Sequence, residues 1–202
     1  MKTEEKRNFG KIAPVFSRKP YGCDQAEGLR KLITAAEKGK SAKVIAVSGG
    51  KGGIGKTNVS VNLALALAKN GADVILVDLD LGLASVDVLL NFHPTYTLAT
   101  VISGNKHISE VLYAVHGIRI VPGAMGIEEI ANLAEDQRAR LTEQFIALYS
   151  SCDFLILDTQ AGISNNTIGF LSCADQILLV TVPEPVAVLD AFAVAKLVWS
   201  RD

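Results

Sequence analysis

The chain has 202 residues, 49% of them apolar, which suits one full α/β core with a short appendage. No stretch reaches about 18 uninterrupted apolar residues, and the charged N-terminus lacks an apolar h-region, which argues against a membrane-spanning helix and a signal peptide. The net charge of −1 divides unevenly: residues 1–43 carry eleven Lys and Arg against five Asp and Glu, a balance of +6, and residues 44–202 carry nine against sixteen, a balance of −7.

The first 20 residues hold Gly10, Pro14, Pro20 and many charges without a sustained period, so residues 1–23 read as a flexible basic arm. Such an arm ahead of an acidic body suits an acidic protein surface, lipid or nucleic acid, or is simply a solvated tail. Asp24 and Glu27 form an Asp version of a capping box, and Ala26, Leu29, Ile33 and Ala36 share one face, so an amphipathic helix is expected over 24–40. The remaining residues, 41–202, form the main domain.

That domain opens on Val44-Ile45-Ala46-Val47, a β-branched apolar run that ends in a glycine loop. A helix follows from Thr57 to about Asn70, with Gly71 placed to stop it, then a strand over 74–77 ending at Asp78. Thr97 to Ser103 and Ser109 to Val115 are each expected to be short helices, and Ile118 to Val121 a strand closed by Pro122-Gly123. A helix is expected at about 136–150, a strand over 154–157 ending at Asp158, and a helix over 166–173. The strand 176–182 is closed by Pro183 and Pro185, and Ala187 to Trp199 forms the last helix. Strands that are continuously apolar and alternate with helices predict a mostly parallel sheet with helices on both faces, its ligand at the strands' C-terminal ends. Cys23, Cys152 and Cys173 are scattered without metal-ligand spacing and read as reduced thiols.

Gly50 to Thr57 matches G-x-x-x-x-G-K-[ST] in full, directly after a strand and before a helix. Glycines let successive backbone N–H groups face phosphates, and the helix adds its positive N-terminal end. Lys56 suits the β/γ-phosphates, and the Thr57 hydroxyl suits Mg²⁺. An ordinary phosphate loop has no need of Lys51, whose charge is expected beside Lys56 without a neutralising group of its own. It either stabilises a transition state from across a dimer interface, like an arginine finger, or points to solvent. Asp158 closes a strand where an aspartate would hold Mg²⁺ through water. Asp78 and Asp80 close another, where one of them could orient the attacking water; taken singly, each could equally be a cap.

Together these residues resemble the MinD/ParA group of phosphate-loop ATPases, the deviant Walker A family. The resemblance implies a P-loop NTPase fold, ATP and Mg²⁺ as cofactors, and an ATP-dependent homodimer. Position by position, it makes Lys51 the signature lysine that reaches the partner subunit's nucleotide, and Lys56 and Thr57 the phosphate lysine and magnesium hydroxyl. Asp80 becomes the switch aspartate needed for hydrolysis, with Asp78 its companion. Asp158 with Ala161-Gly162 becomes the Walker B segment and second switch. The catalytic set is then Lys51, Lys56 and Asp80; the metal set Thr57, Asp78 and Asp158; the switch set Asp80, Gly82, Ala161 and Gly162. The nucleotide set is Gly50, Lys51, Gly52, Gly53, Ile54, Gly55, Lys56, Thr57 and Asn58, with Pro183.

Residues 80–90, Ala161-Gly162-Ile163-Ser164-Asn165 and Pro183-Glu184-Pro185 are similar to the flagellum site-determining branch of the group (FlhG, also FleN or YlxH). Asp24-Gln25-Ala26 with Leu29-Arg30 resembles that branch's N-terminal element, which stimulates an SRP-type GTPase (FlhF-like). The resemblance therefore implies an ATPase switch for flagellar number or placement, cytoplasmic and transiently at the inner face of the membrane. Basal-body or regulator proteins are its expected partners, and nucleic acid is not. Two departures stand out: Gln160 in the Walker B segment, and a chain ending at Asp202 where the family continues with a further core strand and a membrane helix. The sheet is thus expected to lack its last strand or strands. The rival readings are a non-hydrolysing scaffold that acts through its N-terminal arm, a septum-site or chromosome-partitioning ATPase, and an iron–sulfur carrier, for which paired cysteines are missing.

Overall fold

The computed structural model describes residues 41–80, 86–123 and 135–200. The expected helix over 24–40 and the switch residue Gly82 lie outside them. Among the described residues six strands form one sheet in the order β3-β4-β2-β5-β1-β6. They are β1 (Lys43–Ser48), β2 (Val74–Asp78), β3 (Tyr113–Val115), β4 (Ile118–Val121), β5 (Phe154–Asp158) and β6 (Gln176–Leu179). The helices are α1 (Lys56–Lys69), α2 (Val86–Leu89), α3 (Leu98–Ile102), α4 (Glu135–Tyr149), α5 (Asn165–Cys173) and α6 (Pro185–Trp199).

The five strands β4, β2, β5, β1 and β6 run parallel, as continuously apolar strands covered on both faces must. Alternation along each strand sorts the core in two. Val44, Ala46, Ile75, Val77, Leu155 and Leu157 pack with Leu98 of α3, Phe145 and Leu148 of α4, Leu171 of α5 and Val194 of α6. Val47, Val74, Leu76, Ile118, Ile120 and Ile156 pack with Val61 and Ala64 of α1 and Val86 of α2. That parity decides which strand-end side chains meet the phosphate loop's helix.

One expectation fails. Ser109 to Val115 is not a helix: Ile108–Val111 is one 3-10 turn, and Tyr113–Val115 is a strand antiparallel to β4. His116 and Gly117 both adopt positive φ, 50° and 84°, between the paired residues Val115 and Ile118. Two left-handed residues make the tight hairpin turn whose twist matches its strands, and pairing to β4 outweighs local helical spacing. Gly71, at φ 88°, does stop α1 as its position suggests. Cys152 and Cys173 are buried, and burial pushes the Cys152 thiol up to about 11, so it stays protonated at neutral pH. None of the described helices is long and apolar enough to cross a membrane.

At the β6 edge the packing is inverted. α6 turns Ala187, Ala191 and Val194 inward and leaves Val188, Leu189 and Phe192 exposed. Leu178 on the outermost strand is exposed as well.

Candidate functional site

The loop between β1 and α1 uses its glycines for two different reasons. Gly53 and Gly55 have φ of 74° and 93°, which disfavours any side chain, and a Cβ on Gly52, Gly53 or Gly55 would meet nothing within 4 Å. These three residues edge an open bowl, and a glycine-rich turn of this kind suits an anion. Gly49 and Gly50 are instead required by packing. A Cβ on Gly49 would stand 2.6 Å from Ile54 Cδ1 and 2.7 Å from the Val180 carbonyl, and one on Gly50 would lie 2.5 Å from the Asp190 carbonyl carbon. The first glycines thus seat the loop on Ile54, the end of β6 and α6, and the later ones shape it for an anion. Gly55 is the N-cap of α1, whose first turn has no acidic residue, so the helix's positive end is left for a ligand.

Lys56 opens α1 and is only 7% exposed, its stem running past Gly49. Its charge, with the Thr57 and Ser60 hydroxyls, draws the Asp158 carboxyl toward ionisation, while Asp80 opposes this; burial is the largest influence and holds Asp158 above the usual carboxylate range. Ser60 Oγ donates to Asp158 Oδ1 at 2.8 Å. Asp158 Oδ2 is buried without a hydrogen-bond partner among the described residues. A buried carboxylate oxygen in that state calls for a ligand. A hydroxyl at Thr57, an orphaned acceptor at Asp158 and an adjoining anion bowl fit Mg²⁺ as nucleotide sites hold it, by one or two protein oxygens plus phosphate and water. The described residues contain no cluster of three or more His, Cys, Asp or Glu, and such a site needs none.

Asp78 stands opposite Asp158 in the sheet register. Its Oδ1 accepts from the Asp80 amide at 3.0 Å, and its Oδ2 from the Val86 amide at 3.4 Å. It therefore ties down both ends of the connection from β2 to α2 and holds Asp80 near the Asp158 carboxylate. Gly123, at the end of β4, was not anticipated as a site residue. A Cβ there would lie 2.9 Å from Asp78 Cγ, so only glycine leaves that carboxylate its room. The signal was Pro122-Gly123 directly after a strand that neighbours β2.

The segment after β5 is anchored to the loop through its backbone. Thr159 donates from its amide and hydroxyl to the Val47 carbonyl, at 3.1 and 2.9 Å. Gly162, at φ 90°, donates to the Gly49 carbonyl at 3.1 Å, and Ala161 beside it is half-buried. Gln160 is exposed, so its length disturbs no packing.

Lys51 corrects one expectation. It does have a neutralising group: its Nζ donates to Glu184 Oε2 at 2.8 Å, and that hydrogen bond and the carboxylate's charge raise the lysine's pKa. Pro183 and Asn58 are exposed, on the turn before Glu184 and on the first turn of α1. Lys51, Lys56, Thr57, Asp80 and Asp158 thus gather at the loop, with Asp78 one strand behind.

These parts define a phosphate-loop α/β domain whose loop suits an anion and whose adjoining Thr57 and Asp158 suit a divalent cation. A family profile described as an AAA domain matches residues 42–197. The antiactivator FleN of Pseudomonas aeruginosa is 49% identical over 161 residues, covering 79% of this chain and 57% of that protein. The flagellum site-determining protein YlxH of Helicobacter pylori is 36% identical over 161 residues, covering 78% and 54%. The chain thus spans little more than half the length of these curated relatives. Among solved structures, the cell division ATPase MinD of Pyrococcus furiosus superposes with a TM-score of 0.66 at 28% identity, covering 79% of this chain and 67% of that one. MinD of Pyrococcus horikoshii, solved with Mg-ADP, gives 0.66 at 27% identity, covering 79% and 65%. The chain belongs to this AAA-domain family and is of its MinD/ParA type, with relatives in the flagellar branch.

Proposed function

We propose that the chain is a Mg²⁺-dependent ATPase switch that works as a closed pair of copies and regulates flagellar number or placement. The observation that carries this reading is the orphaned Asp158 oxygen beside Thr57, Lys56 and an open glycine bowl. Magnesium, when bound, would supply charge neutralisation at the β- and γ-phosphate oxygens. Thr57 and Asp158 would hold it, Asp158 through water. Lys56, buried and fixed at the N-terminus of α1, offers a preorganised ammonium to the phosphates. Asp80, positioned by Asp78, orients the attacking water. Lys51 is exposed on the loop rim, and in this reading it acts from there on a second copy's phosphates.

Phosphate release measured against protein concentration tests the paired reading. Turnover per subunit should rise with concentration and fall on the order of 100-fold in Lys51→Ala or Asp80→Ala, as for other charge-stabilising donors. Flat turnover, or full activity in Lys51→Ala, would sink it.

The flagellar assignment and the GTPase partner rest on the similarity to FleN and YlxH and on the element at Asp24, Gln25, Ala26, Leu29 and Arg30. In this reading Gln25 completes the GTPase site of the partner while Leu29 and Arg30 dock the element on it. A peptide spanning 1–35 should raise GTP turnover by an SRP-type GTPase, and Gln25→Ala should remove the effect. Transient contact with the inner face of the membrane and with basal-body proteins belongs to the same proposal.

A further inference from the structure

α1 turns Lys56, Ser60, Val61 and Ala64 inward. Packing against the sheet asks only for a small residue at Ser60, as Ala64 shows one turn later, and alanine is the better helix former. The hydroxyl therefore has a task other than filling space. Ser60 is 0% exposed, so bulk water does not satisfy it. Its Oγ has two acceptors in reach, Asp158 Oδ1 at 2.8 Å and the Lys56 carbonyl at 3.1 Å, but only one proton to give. Against an ionised Asp158 the closer, charged acceptor wins, because hydrogen bonds to ionised groups are the stronger ones. Thr57, three residues earlier on the same side of the helix, also acts on this carboxyl, but it is half-buried at the loop. Ser60 thus occupies one carboxylate oxygen, Oδ1, and Oδ2 is the bare one.

We propose that Ser60 is a specificity-determining residue for the cation: by occupying Asp158 Oδ1 it leaves the site a single oxygen of that carboxylate and so favours Mg²⁺ over Ca²⁺. The proposal rests on the Mg²⁺ reading above and adds what selects that ion. Mg²⁺ gives up water reluctantly and is satisfied by one or two protein oxygens beside phosphate and water. Ca²⁺ is larger, takes about six to eight oxygens, and often takes both oxygens of one carboxylate. The described residues offer it little in exchange. Asp78, opposite Asp158 in the sheet, has both oxygens directed at backbone amides, and no cluster of three or more His, Cys, Asp or Glu is present among them. Withholding Oδ1 therefore removes a ligand that Ca²⁺ uses and Mg²⁺ does not. Ser60→Ala keeps a small side chain on the helix and removes only the hydroxyl.

Equilibrium binding of a fluorescent ADP analogue to the full chain, titrated in Mg²⁺ alone and in Ca²⁺ alone, tests this. The wild type should bind more tightly with Mg²⁺. In Ser60→Ala the ratio of the two dissociation constants, Ca²⁺ over Mg²⁺, should fall by roughly three- to tenfold, the size that one net hydrogen bond sets. Ser60→Cys puts a weak donor at the same point and should give an intermediate ratio. A purely structural role would weaken binding with both ions alike, so an unchanged ratio in the two variants overturns the proposal, as does a ratio that rises. If Ser60→Ala does not fold, Ser60→Cys decides alone: a fall in the ratio supports the role and no shift overturns it. Wild-type binding that is indifferent to divalent cations would defeat the Mg²⁺ reading and the selectivity role together. Wild-type binding that needs a cation but is equally tight with Ca²⁺ would defeat the selectivity role alone.

Discussion

The ends of β2 and β5 lie in register, Asp78 opposite Asp158, and both side chains are 1% exposed on the face that α1 covers. Asp78 has both oxygens directed at backbone amides, and Gly123 leaves it just enough room. Asp158 shares one oxygen with Ser60 and keeps the other bare beside Thr57 and Lys56. Two like residues at like positions are thus separated by their neighbours alone. A carboxylate whose acceptors are filled holds structure together, whereas one left short under burial is destabilising until a ligand arrives.

The largest effect should come from Asp158→Asn. Mg²⁺-dependent turnover should fall on the order of 100-fold, while the chain without metal or nucleotide becomes more stable. The sign follows from linkage. A carboxyl whose folded pKa is raised contributes stability that is fully present below the unfolded carboxylate value, about 4, and is lost as pH rises through the folded value. In chelator-containing buffer the variant should therefore melt roughly 2–4 °C above wild type at pH 7 and level with it near pH 4. A variant that melts below wild type at pH 7 would mean that Asp158 is a structural residue like its neighbour.

Asp78→Ala should behave oppositely, losing about 1–3 kcal/mol in denaturant titrations because two loop amides lose their acceptor. Its nucleotide affinity at saturating stability should stay close to wild type; a complete loss would place Asp78 among the direct ligands. Gly123→Ala, which crowds the same carboxylate, should cost a similar ~1–3 kcal/mol.

The two ends of the phosphate loop allow a finer contrast. Gly50→Ala drives a methyl into Asp190 and should destabilise by about 1–3 kcal/mol. Gly52→Ala faces open space, so its stability should stay within roughly 0.5 kcal/mol of wild type while ATP affinity drops. Equal stability losses in the pair would erase the distinction between packing and cradle glycines.

Most of this architecture was legible in the residue order because β1, β2 and β5 are continuous apolar runs closed by Gly or Asp, a pattern that demands burial on both faces. The loop was legible because its spacing is local: Gly50 to Thr57 form their bowl within a single turn of chain. The hairpin at His116-Gly117 was not, because its turn depends on two positive-φ residues and its strand on a partner in β4. Gly123 was hidden for the same reason, its need for space being set by Asp78, 45 positions earlier in the chain.

The sequence by itself thus determined the chemistry on offer: a cation at Lys56, a hydroxyl at Thr57, carboxylates at strand ends, and a second lysine at the rim. Only the tertiary structure decided how these are shared out. Pairing register and strand parity brought Ser60 to Asp158 and the loop amides to Asp78, and the docking of α6 gave Lys51 a partner 133 positions away. Contacts at that separation depend on which surfaces meet, and no local pattern of residues encodes them.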